Sequence, residues 1–150
     1  MQINGLYTFQ ASKERVFVAL LDPGMLQKSV PGCSGAWYSS EQAHTKIRII
    51  TPVPGLEGPY DITMKVLEQD APHKLVLQIG RNGRIGGTVA ARTHVTLTDA
   101  PDGDTLLSYD TIVELSGAIA AVNNPLFIGI AKQMLKTFFK NLNTAMLTGE

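Results

Sequence analysis

Acid/base chemistry needs a carboxylate whose proton affinity is displaced by an apolar setting. The acids flanked by apolar strand residues are Asp110 and Glu114. They share one face with Leu106, Ser108 and Ile112, while Tyr109, Val113 and Leu115 occupy the other. The second face is expected to be the inner one, which leaves both acids solvated and inert. Cys33 follows Pro31-Gly32 with no histidine near it in sequence, so it is expected to serve as a small hydrophobe rather than a reactive thiol. His44, His73 and His94 lack metal-ligand spacing, and alternation puts His94 beside Arg92 on an outer face. The run Gly80-Arg81-Asn82-Gly83-Arg84-Ile85-Gly86-Gly87 has two arginines but not the Lys-Ser/Thr of a phosphate loop. It falls between two strands, so it reads as a hairpin turn whose glycines supply positive φ. Its arginines are suited to greet an acidic partner. No metal and no cofactor is expected.

These residues have to be carried by a scaffold, and the period of the apolar positions describes one. Ile3, Tyr7 and Phe9 suit a first strand, with Gly5 marking a bulge. Ser12 caps a helix over Lys13–Leu21 with Glu14 in its first turn, and Asp22-Pro23 opens a second short helix that ends at Val30-Pro31-Gly32. From residue 35 the period becomes two. Six strands follow: Trp37–Gln42, Lys46–Ile50, one through Tyr60, Ile62, Met64 and Val66, one through Leu75, Leu77 and Ile79, Val89–Leu97, and Thr105–Leu115 after the turn Pro101-Asp102-Gly103. Asn123-Asn124-Pro125 then starts a long helix, with Asn124 as cap. Its apolar positions Phe127, Ile130, Ala131, Met134, Leu135, Phe138, Leu142 and Met146 recur at three and four, to about Met146.

The chain has 150 residues, about the modal size of one domain. Its 13 Lys+Arg balance 13 Asp+Glu, so no basic footprint for a nucleic-acid backbone exists. The single cysteine fits a reducing compartment, and the cytoplasm is the expected location. Met1-Gln2-Ile3-Asn4-Gly5 carries neither a basic nor an apolar leader region, and no run of about 18 apolar residues occurs.

The expectation is therefore an α+β fold: a curved antiparallel sheet of six to seven strands around a long C-terminal helix, with two short helices after the first strand, in one domain over residues 1–150. A strongly curved sheet and a straight helix are hard to mate at full packing density, so an apolar cavity between them is a natural by-product. Its expected wall is Phe127, Ile130, Met134 and Phe138 from the helix, facing Tyr60, Ile62, Met64, Leu77, Ile79, Val89 and Val95 from the sheet.

That order of elements is the helix-grip arrangement of the START-like, birch-allergen-type (SRPBCC) superfamily. Within it the chain carries Tyr7-x-Phe9-x-Ala11, Leu21-Asp22-Pro23, Val30-Pro31-Gly32-Cys33, Pro52-Val53-x-Gly55 with Gly58, the glycines at 80, 83, 86 and 87, Tyr109 and Gly117. By these residues it resembles the carbon monoxide dehydrogenase G-subunit family. It implies an accessory or carrier protein that works with molybdenum-dependent hydroxylases and helps an oxidoreductase reach the membrane or its quinone pool. Peripheral contact with the inner face of the membrane is part of that implication. Longer members carry a C-terminal extension proposed to touch the membrane, and this sequence ends at Glu150.

Three readings follow. The first is a non-enzymatic carrier of a hydrophobic small molecule, a quinone or lipid-like group. The second is a cyclase, hydrolase or dehydratase of the same superfamily, using Tyr60, Tyr109 or Asp110. The third is a protein–protein adaptor with a filled core, recruiting through the Asn82–Gly87 hairpin.

Overall fold

A computed structural model of the chain describes residues 1–50, 58–81, 88–116 and 124–148. The elements run β1 (Gln2–Phe9), α1 (Lys13–Leu21), α2 (Pro23–Ser29), β2 (Cys33–Ser39), β3 (His44–Ile49), β4 (Tyr60–Asp70), β5 (Lys74–Arg81), β6 (Thr88–Asp99), β7 (Thr105–Ser116) and α3 (Asn124–Leu147). The seven strands form one antiparallel sheet in the order β1-β7-β6-β5-β4-β3-β2. Strands β2 to β7 follow one another as a meander, and β1 closes onto the last of them.

Local chemistry sets the two short helices. The Ser12 side chain accepts from Arg15 N at 3.4 Å, and Asp22 Oδ1 accepts from Gly24 N at 2.8 Å, with Pro23 at the first position of α2. These bonds satisfy backbone donors that helix starts leave unpaired. Gly32 then takes φ +74, and a Cβ there would collide with the Ile50 carbonyl oxygen. Only glycine lets α2 hand over to β2 at that crossing.

Two sequence expectations change. Strand β2 starts at Cys33 rather than Trp37, because the register shift between Cys33 and Gly35 keeps the strand paired with β3 through that stretch. Gly5 carries no bulge: it stands in regular register opposite Tyr109, and an added Cβ would meet the Tyr109 hydroxyl at 2.6 Å. Its glycine makes room for a ring. A further shift between Val66 and Glu68 bends β4, as bulges do.

The core lies between the inner sheet face and the helices. Phe9, Val16, Leu75, Leu107 and Leu142 are among its fully buried side chains. Buried Thr105 donates to Ala11 O at 2.7 Å, tying the start of β7 to the segment that leaves β1.

Candidate functional site

Residues directly opposite in an antiparallel sheet point to the same face, so the register turns the inner surface into rows. One row is Tyr7, Leu107 and Leu97, and the next is Gly5, Tyr109, Val95 and Leu75. Then come Ile3, Thr111, Thr93, Leu77 and Val66, followed by Val113, Ala91, Ile79 and Met64. The final row is Leu115, Val89, Arg81 and Ile62, with Tyr60 beyond it. Leu107, Leu97 and Leu75 are sealed, and Ile47 and Ile49, opposite Ile62 and Tyr60, are buried as well. Ile79 and Ala91, and then Leu115, Val89, Arg81 and Ile62, are only half-buried.

The C-terminal half of the helix is clamped: Gln10 N donates to Asn143 Oδ1 at 2.9 Å, Asn143 Nδ2 donates to Gln10 Oε1 at 3.1 Å, Asn141 Nδ2 donates to Ser29 O at 3.1 Å, and an Arg15 guanidinium N–H donates to Met146 O at 2.6 Å. Phe139, Leu142, Ala145 and Met146 are buried beneath these clamps. Toward the N-terminal half, Ile128, Ala131, Leu135 and Phe138 are half-buried against the core. On the sheet, Tyr60, Ile62, Ile79, Val89, Ala91 and Leu115 are likewise half-buried on the inner face.

Tyr60, Ile62, Ile79, Val89 and Phe138, expected on a cavity wall, are each half-buried. Met64, Leu77 and Val95 are buried in the core, Val95 opposite Tyr109. Ile130 and Met134 are a correction. They are 53% and 39% exposed and line a hollow of about 380 Å³ on the outer side of α3, with Pro125, Gly129 and Gln133. At 3.6 residues per turn, their stripe is rotated by roughly a quarter turn or more from the buried one through Ile128, Leu135, Phe139 and Leu142. The side chain of Phe127 lies outside the described residues, as do the 82–87 turn with Arg84, the 51–57 loop, Gly117 and Asn123. Sequence reasoning missed Ile128; Ala131 and Leu135 stood in the expected helix stripe, and Ala91 and Leu115 on the expected inner faces of their strands, without being assigned to the cavity wall.

The sequence profile of the carbon monoxide dehydrogenase G-subunit (CoxG) family matches residues 5–147. The chain belongs to that family. Among curated proteins no match was found. A conserved protein from Geobacillus kaustophilus has the same structure with TM-score 0.88 at 26% identity, over 99% of this chain and 96% of that one. A START superfamily protein from Mycobacterium smegmatis superposes with TM-score 0.74 at 14% identity, over 99% of both chains. Ara h 8.0201 gives 0.70 at 13% identity, covering 99% of this chain and 98% of its own. The fold is the START-like helix grip.

The residues that carry the CoxG-family resemblance have structural work in this chain. Phe9 and Ala11 are buried, Asp22 caps α2, and Gly32 makes the crossing under Ile50. Cys33 is half-buried and its thiol donates to Gly35 O at 3.3 Å, packing against the core as a small hydrophobe. Tyr7, Phe9, Tyr109 and Phe139 form one aromatic cluster with ring centroids 4.8 to 5.8 Å apart. Burial pushes the Tyr7 and Tyr109 hydroxyls above the usual phenol range.

Polar groups on the inner face are few and specific. The hydroxyls of Thr93 and Thr111 bond each other in the middle of the sheet. Arg81 ends β5 inside the strand rather than in the turn, and its guanidinium stands 4.2 Å from the Tyr60 ring centroid. Asp110 and Glu114 are exposed on the outer face, where Gln2 Nε2 donates to Asp110 at 2.7 Å. His94 and Arg92 share that outer face. Among the described residues no three His, Cys, Asp or Glu side chains gather as a metal site, and no helix is long and apolar enough to cross a membrane.

Proposed function

We propose that this CoxG-family protein is a non-enzymatic carrier that shelters a hydrophobic small molecule, a quinone or lipid-like group, between its sheet and α3. It delivers that molecule to or from a molybdenum-dependent oxidoreductase of the carbon monoxide dehydrogenase type, at the cytoplasmic face of the membrane. The observation that carries this reading is a set of apolar side chains that stay half-buried against the core: Ile62, Ile79, Val89, Ala91 and Leu115 on the sheet, and Ile128, Ala131, Leu135 and Phe138 on α3. In this reading they are the two walls of an apolar trough.

The mechanism is desolvation. Covering such walls with an apolar ligand is worth about 25 cal/mol per Å² before the entropy costs of association. Tyr60, and the Thr93–Thr111 pair within, are polar groups available to orient a ligand that carries oxygen atoms. The carboxylates of Asp110 and Glu114 point away from the trough, which favours carrier over acid/base enzyme.

Native mass spectrometry of the purified protein, followed by organic extraction, tests the reading. A co-purifying quinone, lipid or fatty acid is the expected result. An apo mass that stays unchanged on incubation with quinone analogues overturns it and favours an adaptor with a filled core.

A further inference from the structure

A second hollow, of about 320 Å³, opens on the other flank of α3, between that helix and the edge strand β1. Its floor is aromatic. Tyr7 and Tyr109 lie 5.5 and 5.6 Å from the Phe139 ring, centroid to centroid. Gly5, with no side chain, leaves the Tyr109 hydroxyl uncovered by its own strand partner. The rim is cationic. Lys132 and Lys136 line the hollow from successive turns of α3, and Lys140 continues the same ridge one turn further.

That ridge is unbalanced. Like charges four residues apart on a helix repel, and α3 contains no Asp or Glu between Asn124 and Leu147. Strand β1, the facing wall, contains no charged side chain either. Among the described residues neither Lys132 nor Lys136 is in an ion pair. The carboxylate nearest in register, Asp110 opposite Asn4, sits on the outer face and is held by Gln2. An aromatic floor under two unpaired ammonium groups is complementary to one kind of molecule: an apolar body ending in an anion.

We propose that the β1–α3 hollow binds a carboxylic acid with an apolar tail, Lys132 and Lys136 holding the carboxylate and Tyr7, Tyr109 and Phe139 contacting the first part of the tail. Its lining residues are different from those of the proposed trough. It stands on its own lining residues whether or not the trough is occupied.

Dodecanoate and dodecanol, titrated against the full chain by calorimetry, separate the charge from the tail. Dodecanoate is expected to bind the more tightly, and K132Q/K136Q to weaken it on the order of tenfold while leaving dodecanol unchanged. Both substitutions are on exposed positions, and an unaltered melting temperature verifies the fold of the variant. Acetylation of lysines read by mass spectrometry fixes the place: dodecanoate protects Lys132 and Lys136 and leaves Lys65 reactive. Equal affinity of acid and alcohol, or a double variant that binds dodecanoate as the parent does, overturns the proposal. Charge-dependent binding to anionic vesicles without binding of free dodecanoate also overturns it, and assigns the ridge to a membrane surface.

Discussion

Asn143 and Gln10 hold each other through two hydrogen bonds, one to the Gln10 backbone and one to its side chain, 133 residues apart in sequence. With the Arg15 to Met146 and Asn141 to Ser29 bonds, they fix the C-terminal half of α3 to the segments that follow β1. The clamps and the packed end of the core coincide. The half-buried Ile128, Ala131 and Leu135 lie beyond their reach.

Breaking that clamp is expected to cost stability without closing or opening the trough. Asn143→Ala should lower unfolding free energy by about 1 kcal/mol, the usual net worth of such bonds at an exposed site. Leu142→Ala, beside it but fully buried, should cost about 2–5 kcal/mol. Urea denaturation measures both. Equal effects of the two substitutions would show that the polar clamp contributes as much as the packing beneath it.

The two ends of α3 should answer differently to added bulk. Ala131 is half-buried, on a wall of the proposed trough, and Ala145 is buried in the packed end. Ala145→Phe overpacks a filled site and should destabilise by about 1–3 kcal/mol. Ala131→Phe should leave the melting temperature nearly unchanged while abolishing uptake of an apolar fluorescent probe. Retained probe binding in Ala131→Phe would place the probe elsewhere.

Alkaline pH should loosen the aromatic cluster. Burial raises the Tyr7 and Tyr109 hydroxyls above the ordinary value of 10.0, so the unfolded chain gives up these protons first. Their contribution is complete below pH 10 and is lost as pH climbs through the folded-state values. Tyr109→Phe removes one such proton and should move the alkaline unfolding midpoint upward, read by circular dichroism against pH. An unmoved midpoint would mean that other groups control alkaline unfolding.

Much of this was legible in the residues. Ser12 and Asp22-Pro23 mark their helices because capping is decided by neighbours in the chain, and both caps form. The alternation of Tyr109, Val113 and Leu115 against Asp110 and Glu114 assigns the faces of β7 correctly, since a strand with one wet side has a period of two. Gly5 was harder. A glycine in a strand signals either a bulge or a close approach, and only the ring of Tyr109, more than a hundred residues away, selects the second.

By itself the sequence determined the order of elements, the inner face of each strand and the family to which they belong, because these follow from local periodicity and short motifs. The tertiary structure decided which stripe of α3 meets the sheet. Apolar residues occupy well over half of that helix's circumference, so the stripe through Ile130 and Met134 and the stripe through Ile128, Leu135 and Leu142 satisfy the same spacing. The choice between them is made by Asn141, Asn143 and Met146, which dock the far end of the helix on Ser29, Gln10 and Arg15 and so set its rotation. Rotation of a rigid helix is fixed by where it is held, and periodicity alone carries no record of that.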